Sequence, residues 1–207
     1  MIALRYSIAI SGVGGLGILT LGRIISLAAI HDGKMTYMSE IHGLSQRYGS
    51  VFVHVRISDG EILAPTIPSK GADLLIGLEP IESLRVIEVM GPNTIVVLNT
   101  NIIPPPTITL GISKYPPLEH IIRTIRQNSK KLIAYNALEL AKKLGEPRLQ
   151  NTILLGIVSE LPDIPISTHS FRKAIENVFS HREKILKLNL EAFEKGRQIG
   201  QQLMEKQ

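Results

Sequence analysis

The 207-residue sequence contains no cysteine and no tryptophan, and aromatic side chains make up only 4% of it. Without cysteine, the chain alone cannot form a disulfide, present a thiolate nucleophile, or hold an iron–sulfur cluster or a cysteine-ligated zinc ion. The scarcity of aromatic rings leaves little surface on which nucleic-acid bases could stack. These absences argue against a thiol enzyme, a self-contained redox protein and a nucleic-acid-binding module.

The sequence also lacks the spacings that mark common catalytic and metal sites. Neither the phosphate-binding loop of ATPases, G-x-x-x-x-G-K-[ST], nor the nucleophile elbow, G-x-S-x-G, occurs. The histidines show no HxxxH or HxH spacing, so we expect no metal site and assign no catalytic residue. The six histidines are His31, His42, His54, His120, His169 and His181.

Charge is unevenly distributed along the chain. Residues 1–119 carry eight basic and nine acidic side chains, whereas residues 120–207 carry 15 basic and nine acidic ones. A basic C-terminal part could face nucleic acid, an acidic cofactor or an acidic subunit. A solvated, lysine-rich helix surface is the simpler interpretation because aromatic partners for bases are missing, and we predict no nucleic-acid partner.

Residues 6–22 carry no charge and follow Arg5. This uncharged stretch after a basic residue loosely resembles a signal peptide. Five glycines in this stretch would weaken an apolar helix, and no A-x-A cleavage pattern follows. We therefore predict a strand, a loop and a helix here, and a cytoplasmic protein with no membrane partner.

Apolar runs and helical periodicities alternate along the chain. Candidate strands lie at residues 4–10, 35–39, 51–57, 74–78, 94–99 and 131–134, of which 35–39 is the weakest. Candidate helices lie at 16–30, 80–89, 136–144, 151–160 and 182–204, and an amphipathic helical stripe runs over 171–179. Residues 102–117, with five prolines, are expected to be irregular. The order predicts an α/β, Rossmann-like layered fold with a mostly parallel sheet and C-terminal helices. We expect a single domain over residues 1–207, with a helical C-terminal portion from about 168 to 207.

Two segments are candidate contacts for a partner. The strand at 51–57 alternates, so Phe52, His54 and Arg56 are expected on an exposed polar face opposite the core-facing valines. The final helix places Gly196 and Gly200 one turn apart, which permits a close backbone approach. That helix could pack on its own domain or contact another subunit.

The sharpest local motif is the G-x-G-x-x-G run that begins at Gly12, directly after a strand and before a helix. In dinucleotide-binding proteins Gly12 would permit the tight turn, Gly14 would let a phosphate approach the backbone, and Gly17 would let the helix close on the sheet. Glu40, about twenty residues further on, could then bind a ribose. The alternatives are nucleotide binding, as in a stand-alone NAD(P)-dependent oxidoreductase, and a purely structural turn.

The segment EIHGLSQRYGS, residues 40–50, concentrates hydroxyl, amide and guanidinium groups before a strand. Ser45, Gln46 and Arg47 could face an anionic ligand, because guanidinium forks suit phosphate and carboxylate groups. The alternative is a polar loop stabilised by local side-chain hydrogen bonds.

Together these segments resemble the gamma-type subunits of 2-oxoacid:ferredoxin oxidoreductases. The resemblance spans almost the whole chain, and VRIS, LEPIESLR, LNT and YP are most similar to the beta subunit of indolepyruvate:ferredoxin oxidoreductases. Tyr48 departs from the family, which usually has glycine there. The segments are IAISGVGGLGIL, SEIHGLSQRYGSVFVHVRIS, IPSKGADLLIGLEPIESLR, VVLNT, KYPPLE, NTILLG and NLEAFEKG.

The resemblance implies an accessory subunit of a complex that oxidatively decarboxylates an aryl 2-oxoacid to an acyl-CoA. Thiamine diphosphate, Mg and 4Fe-4S clusters would belong to a large partner subunit, with coenzyme A as co-substrate and ferredoxin as electron acceptor. The subunit would not be active alone. The candidate cofactor-binding residues of this chain are Gly12, Gly14, Gly15, Gly17, Ser45, Gln46 and Arg47.

In a reconstituted complex, Arg47→Ala should weaken binding of the 2-oxoacid or coenzyme A roughly ten- to hundredfold, because a charge-assisted hydrogen bond contributes about 1.5–3 kcal/mol. Arg47→Lys should recover part of the loss, since it keeps the charge but not the fork. Steady-state kinetics and melting curves on the same samples test this. If Arg47→Ala melts early yet keeps wild-type affinities for both ligands, the residue only shapes the segment, for example by pairing with Glu40.

Overall fold

The computed structural model describes residues 4–42 (His42 by its backbone only), 49–62 and 64–205. Its strands are β1 (Arg5–Val13), β2 (Met35–His42), β3 (Ser50–Ser58), β4 (Leu74–Gly77), β5 (Ile95–Asn99) and β6 (Lys131–Tyr135). Its helices are α1 (Ile18–His31), α2 (Pro80–Arg85), α3 (Pro106–Thr109), α4 (Leu118–Gln127), α5 (Ala137–Lys143), α6 (Gln150–Val158), α7 (Thr168–Phe179) and α8 (Glu183–Glu205).

The six strands form one sheet in the order β2-β3-β1-β4-β5-β6. Strand β3 is antiparallel to both of its neighbours, while β1, β4, β5 and β6 pair in parallel. Five strands therefore run in one direction, and only β3 runs in the other. This confirms the predicted α/β fold with a mostly parallel sheet.

Helices cover both faces of the sheet. One face, here called the α1 face, packs against α1 and α6 through alternate strand residues such as Ile8 and Ile10, and α7 and α8 pack on these two helices from outside. The other, the α2 face, packs against α2 and α4 through residues such as Ala9 and Leu75. Strands β4 and β5 are buried along their whole length, as expected for parallel strands covered on both sides.

Several element boundaries differ from the sequence prediction. β1 extends to Val13, and β2 continues beyond its predicted end at Ser39 to His42. The helix predicted over 80–89 is interrupted, because α2 ends at Arg85 and a 3-10 turn follows. The passage 102–117, predicted to be irregular, contains the short helix α3. Helix α4 was not predicted, although its two buried residues, Ile121 and Ile125, lie one helical turn apart.

The prediction of an exposed polar face on β3 is wrong for His54, whereas Phe52 and Arg56 are half-buried. His54 is only 3% exposed, and its Nδ1 accepts a hydrogen bond from the Ile67 backbone nitrogen at 3.1 Å. The Arg56 guanidinium donates to the carbonyls of Ala64, at 3.3 Å, and Thr66, at 2.8 Å. Residues 64–67 therefore cover much of this face, a contact that strand alternation alone does not reveal.

Helix α8 packs its buried side on its own domain. Phe193 and Gly196 approach α6 so closely that a Cβ added at Gly196 would overlap the Ile153 carbonyl oxygen. Gly156 lies in the same contact from the α6 side. The side of α8 that carries Gly196 and Gly200 therefore packs within its own domain and is not available to another subunit.

Gly156→Ala should lower the free energy of unfolding by about 1–3 kcal/mol, the range typical of overpacking. Its Cβ would overlap the Phe193 carbonyl oxygen and lie 2.8 Å from the Arg197 backbone nitrogen, which outweighs the better helix propensity of alanine. Urea unfolding measures the change. Gly22→Ala in α1 is the matched control, because its Cβ meets only side-chain atoms, the nearest being flexible Met38 at 3.1 Å. Equal effects at both positions would contradict the packing argument.

Candidate functional site

The carboxyl ends of β1 and β4 form the switch point of the sheet. These strands are parallel neighbours, yet α1 follows β1 on one face and α2 follows β4 on the other. In open α/β sheets such a divergence leaves a crevice, which is where ligands bind. The candidate site is therefore the space between the glycine turn after β1 and the start of α2.

The glycine turn is a defined local structure. The Gly14 nitrogen donates to the Gly49 carbonyl at 2.8 Å, and the Leu16 nitrogen donates to the Val13 carbonyl at 3.1 Å. Gly15 and Gly17 have φ angles of +97° and +78°, which favour glycine. The turn thus lies at residues 14–17.

The roles expected for two of the glycines are different in the structure. Gly12 lies inside β1, and a Cβ there would stand 3.0 Å from Leu78 Cβ and 3.1 Å from Ile18 Cδ1. Gly12, rather than Gly17, therefore allows the close approach of helix and sheet. The Gly14 N–H is already bonded to Gly49 and does not point to a phosphate site.

The start of α1 is suited to an anionic group. No side chain caps this helix, and its first turn contains no acidic residue. The bond from the Leu21 nitrogen to the Gly17 carbonyl, 3.0 Å, is the first of the helix, so the amides of the preceding turn lack intrahelical acceptors. Such a terminus carries a partial positive charge.

A cavity of about 240 Å³ adjoins this terminus and contains two arginines, Arg148 and Arg182. Arg148 forms a bidentate pair with Glu146 at 2.9 and 2.7 Å, which lowers the pKa of Glu146 to about 2. Asn151 donates from Nδ2 to the Leu16 carbonyl at 2.5 Å. Its buried Oδ1 has no hydrogen-bond partner among the residues that the structure describes, so a ligand donor could bind there.

A buried carboxylate lies at the start of α2. Glu79 is fully buried and caps α2, accepting from the Glu82 nitrogen at 3.0 Å, from the Tyr115 hydroxyl at 2.7 Å and from the Ile103 nitrogen at 3.3 Å. Its hydrogen bond and its negative charge add to burial in raising the pKa of Tyr115. These hydrogen bonds fix the start of α2, and they leave the Glu79 carboxylate little capacity to bind a ligand.

The structure brings the four predicted glycines together but does not form a dinucleotide site with Glu40. In the dinucleotide-binding pattern the second parallel strand lies next to the first. Here β3 lies between β1 and β2, and Glu40 pairs with Val53, about 9–10 Å from β1. The expected use of Glu40 is therefore not supported.

Ser45, Gln46 and Arg47 lie outside the described residues, so their role stays a prediction. The flanks of that segment are described, because Gly49 bonds to the glycine turn and Ser50 pairs with Val13. Sequence reasoning missed Glu79, Tyr115 and Asn151. Glu79 could have been predicted as a helix cap, because it directly precedes the proline that begins α2. Tyr115 and Asn151 could not, because their partners Glu79 and Leu16 are distant in sequence.

Over the described ranges, no cluster of three or more histidine, aspartate or glutamate side chains could hold a metal ion. In the same part of the chain, no helix combines the length and apolarity needed to cross a membrane.

Comparison with known proteins gives consistent results. Residues 7–199 match a family model described as "Pyruvate ferredoxin/flavodoxin oxidoreductase". The chain is 41% identical to "Indolepyruvate oxidoreductase subunit IorB" of Archaeoglobus fulgidus, over 93% of this chain and 94% of that protein.

Two solved structures share the fold. One is the keto/oxoacid ferredoxin oxidoreductase gamma subunit from Geobacter sulfurreducens, with a TM-score of 0.65 and 26% identity over 94% of this chain and 98% of that one. The other is 2-oxoglutarate:ferredoxin oxidoreductase from Magnetococcus marinus, solved with 2-oxoglutarate, coenzyme A and succinyl-CoA. It has a TM-score of 0.72 and 22% identity over 95% of this chain and 31% of that one.

Glu82 lies in the first turn of α2, and burial raises its pKa from 4.5 despite opposing contributions from Ser50 and Arg85. The folded state therefore binds the Glu82 proton more readily than the unfolded state, and stability should fall as pH rises from about 4.5 through the raised pKa. Glu82→Gln should remove this part of the pH dependence, measured as the free energy of unfolding between pH 4 and 8. The exposed carboxylate variant Glu119→Gln is the control. A wild-type slope in Glu82→Gln would contradict the assignment.

Proposed function

Because this chain belongs to the pyruvate ferredoxin/flavodoxin oxidoreductase family, we propose that it is the accessory subunit of an indolepyruvate or related 2-oxoacid:ferredoxin oxidoreductase. The observation that carries the proposal is the 41% identity with the Archaeoglobus fulgidus subunit over nearly the whole of both chains. The chain supplies no cysteine for an iron–sulfur cluster, so the redox centres belong to a partner.

The proposed complex converts an aryl 2-oxoacid and coenzyme A into an acyl-CoA and carbon dioxide. Loss of carbon dioxide leaves two electrons, which pass to ferredoxin, while the coenzyme A thiol gives up a proton and takes the acyl group. Thiamine diphosphate, Mg and the 4Fe-4S clusters are assigned to the large partner subunit. We place the complex in the cytoplasm.

Within this complex the crevice is proposed to bind an anionic part of a substrate, such as a phosphate of coenzyme A. The uncapped start of α1, the left-handed turn at Gly15 and Gly17, and the nearby Arg182 support this role, whereas Gly12 and Gly14 serve packing and closure of the turn. Ser45, Gln46 and Arg47 are proposed to contribute from the segment that joins β2 to β3. No hydride-transfer role is proposed, because β3 separates Glu40 from the glycine turn.

The chain purified alone should be colourless and without oxidoreductase activity, whereas co-expression with the large subunit should yield 2-oxoacid-dependent ferredoxin reduction. Visible spectra of the lone chain and activity assays of both preparations test this. A stoichiometric flavin or cluster in the lone chain would contradict it. Micromolar binding of NAD(P) would instead favour a stand-alone oxidoreductase.

A further inference from the structure

We propose that the open α2 face of β2, together with the cavity beside it, is the docking face for an apolar segment of the large partner subunit. The docking face consists of Met35, Tyr37, Ile41 and the cavity between β3 and α2. The inference rests on the proposed function for the existence of that subunit. The location of the docking face rests on the exposure of its apolar side chains, on the pairing of β2 with β3, and on the adjoining cavity.

Three large apolar side chains follow one another on the same side of β2. Met35 is 55% exposed, and Tyr37 and Ile41 are each 53% exposed. Tyr37 pairs with Arg56 and Ile41 with Phe52, which places the row on the α2 face. β2 is also an edge strand, and a long apolar edge strand is normally covered or blunted.

Among the residues that the structure describes, the segment that covers the α2 face stops within this row. Residues 64–67 cross the α2 face over β3 and reach Ser39, whose hydroxyl donates to the Pro65 carbonyl at 3.1 Å. Ser39 lies between Tyr37 and Ile41, so both side chains flank the covering segment and remain open. On the opposite face, α1 covers β2 and β3. In the described part of the chain, no helix covers the α2 face of β2, although layered sheets usually bury both faces.

A cavity of about 530 Å³ continues from Ile41 under α2. Its apolar walls include Phe52, Ile67 and Val89. His54 also lines it, and the buried Nε2 of His54 has no hydrogen-bond partner among the residues described. Because Nδ1 accepts the Ile67 N–H, a neutral imidazole carries its proton on Nε2 and can donate to an incoming group.

The chemistry of the cavity fits a protein anchor better than a charged small molecule. Arg85, Glu82 and Glu88 also line it, so groups of both signs are present beside the apolar walls. Interfaces commonly seat a bulky apolar or aromatic side chain in a pocket with a polar rim. The expected occupant is an apolar segment with one such anchor.

A second copy of this chain fits the docking face less well than the large subunit. Pairing two β2 edges would extend the sheet sideways and leave both apolar rows exposed on the α2 face. An element lying over the face would bury them. In the Magnetococcus marinus enzyme a domain of this fold is 31% of a longer chain, so there it is tethered to other parts of the enzyme.

The test measures affinity for the large subunit from the same organism by biolayer interferometry. The double variant Tyr37→Glu/Ile41→Glu should weaken binding about 30-fold or more, the effect typical of interface hot spots. Val86→Trp, which partly fills the cavity, should weaken it as well. Ile30→Glu is the matched control, because Ile30 has the same 53% exposure but lies on α1. Melting curves verify that each variant is folded.

The outcomes separate the two proposals. If the wild-type chain binds no large subunit, the proposed function fails, and the docking inference fails with it. If the wild-type chain binds and both docking-face variants bind equally well, only the docking inference fails. Leu110→Glu tests a second exposed apolar residue outside the docking face. If only this variant loses binding, the interface lies at Leu110 and the docking inference is wrong. A wild-type dimer that the double variant abolishes, with unchanged affinity for the large subunit, would identify a second copy as the occupant and overturn the inference.

Discussion

Strand β3 lies antiparallel between β1 and β2 and pairs with β1 over nine residues, from Arg5 opposite Ser58 to Val13 opposite Ser50. This pairing moves β2 to the edge of the sheet and brings Gly49 to the glycine turn, where its carbonyl accepts the Gly14 N–H. The same strand therefore closes the turn, separates β2 from β1 and leaves β2 with an open face. The main differences from a dinucleotide-binding domain follow from it.

The fold class was predictable because its signals are local. The apolar runs of β4 and β5 and the periodicity of the helices are visible within short windows of sequence. The direction of β3 is not local, since alternation at Val53 and Val55 is the same in parallel and antiparallel strands. The burial of His54 also depends on distant residues 64–67, whose sequence shows no regular pattern.

The candidate site was only partly predictable for a similar reason. The glycine turn is visible because a left-handed backbone at Gly15 and Gly17 requires a particular residue type. Glu79 and Tyr115 are 36 residues apart, and only the folded chain brings the hydroxyl to the carboxylate. Sequence similarity, which reflects the whole chain, predicted the family where single motifs left several functions open.

Ser50 connects the glycine turn to the docking face. Ser50 pairs with Val13 at the glycine turn and also lines the larger cavity, where its side chain hydrogen-bonds to Glu82. Glu82 in turn donates its backbone N–H to Glu79, which caps the helix on the other side of the crevice. An anchor seated in the cavity would therefore contact residues that shape the crevice.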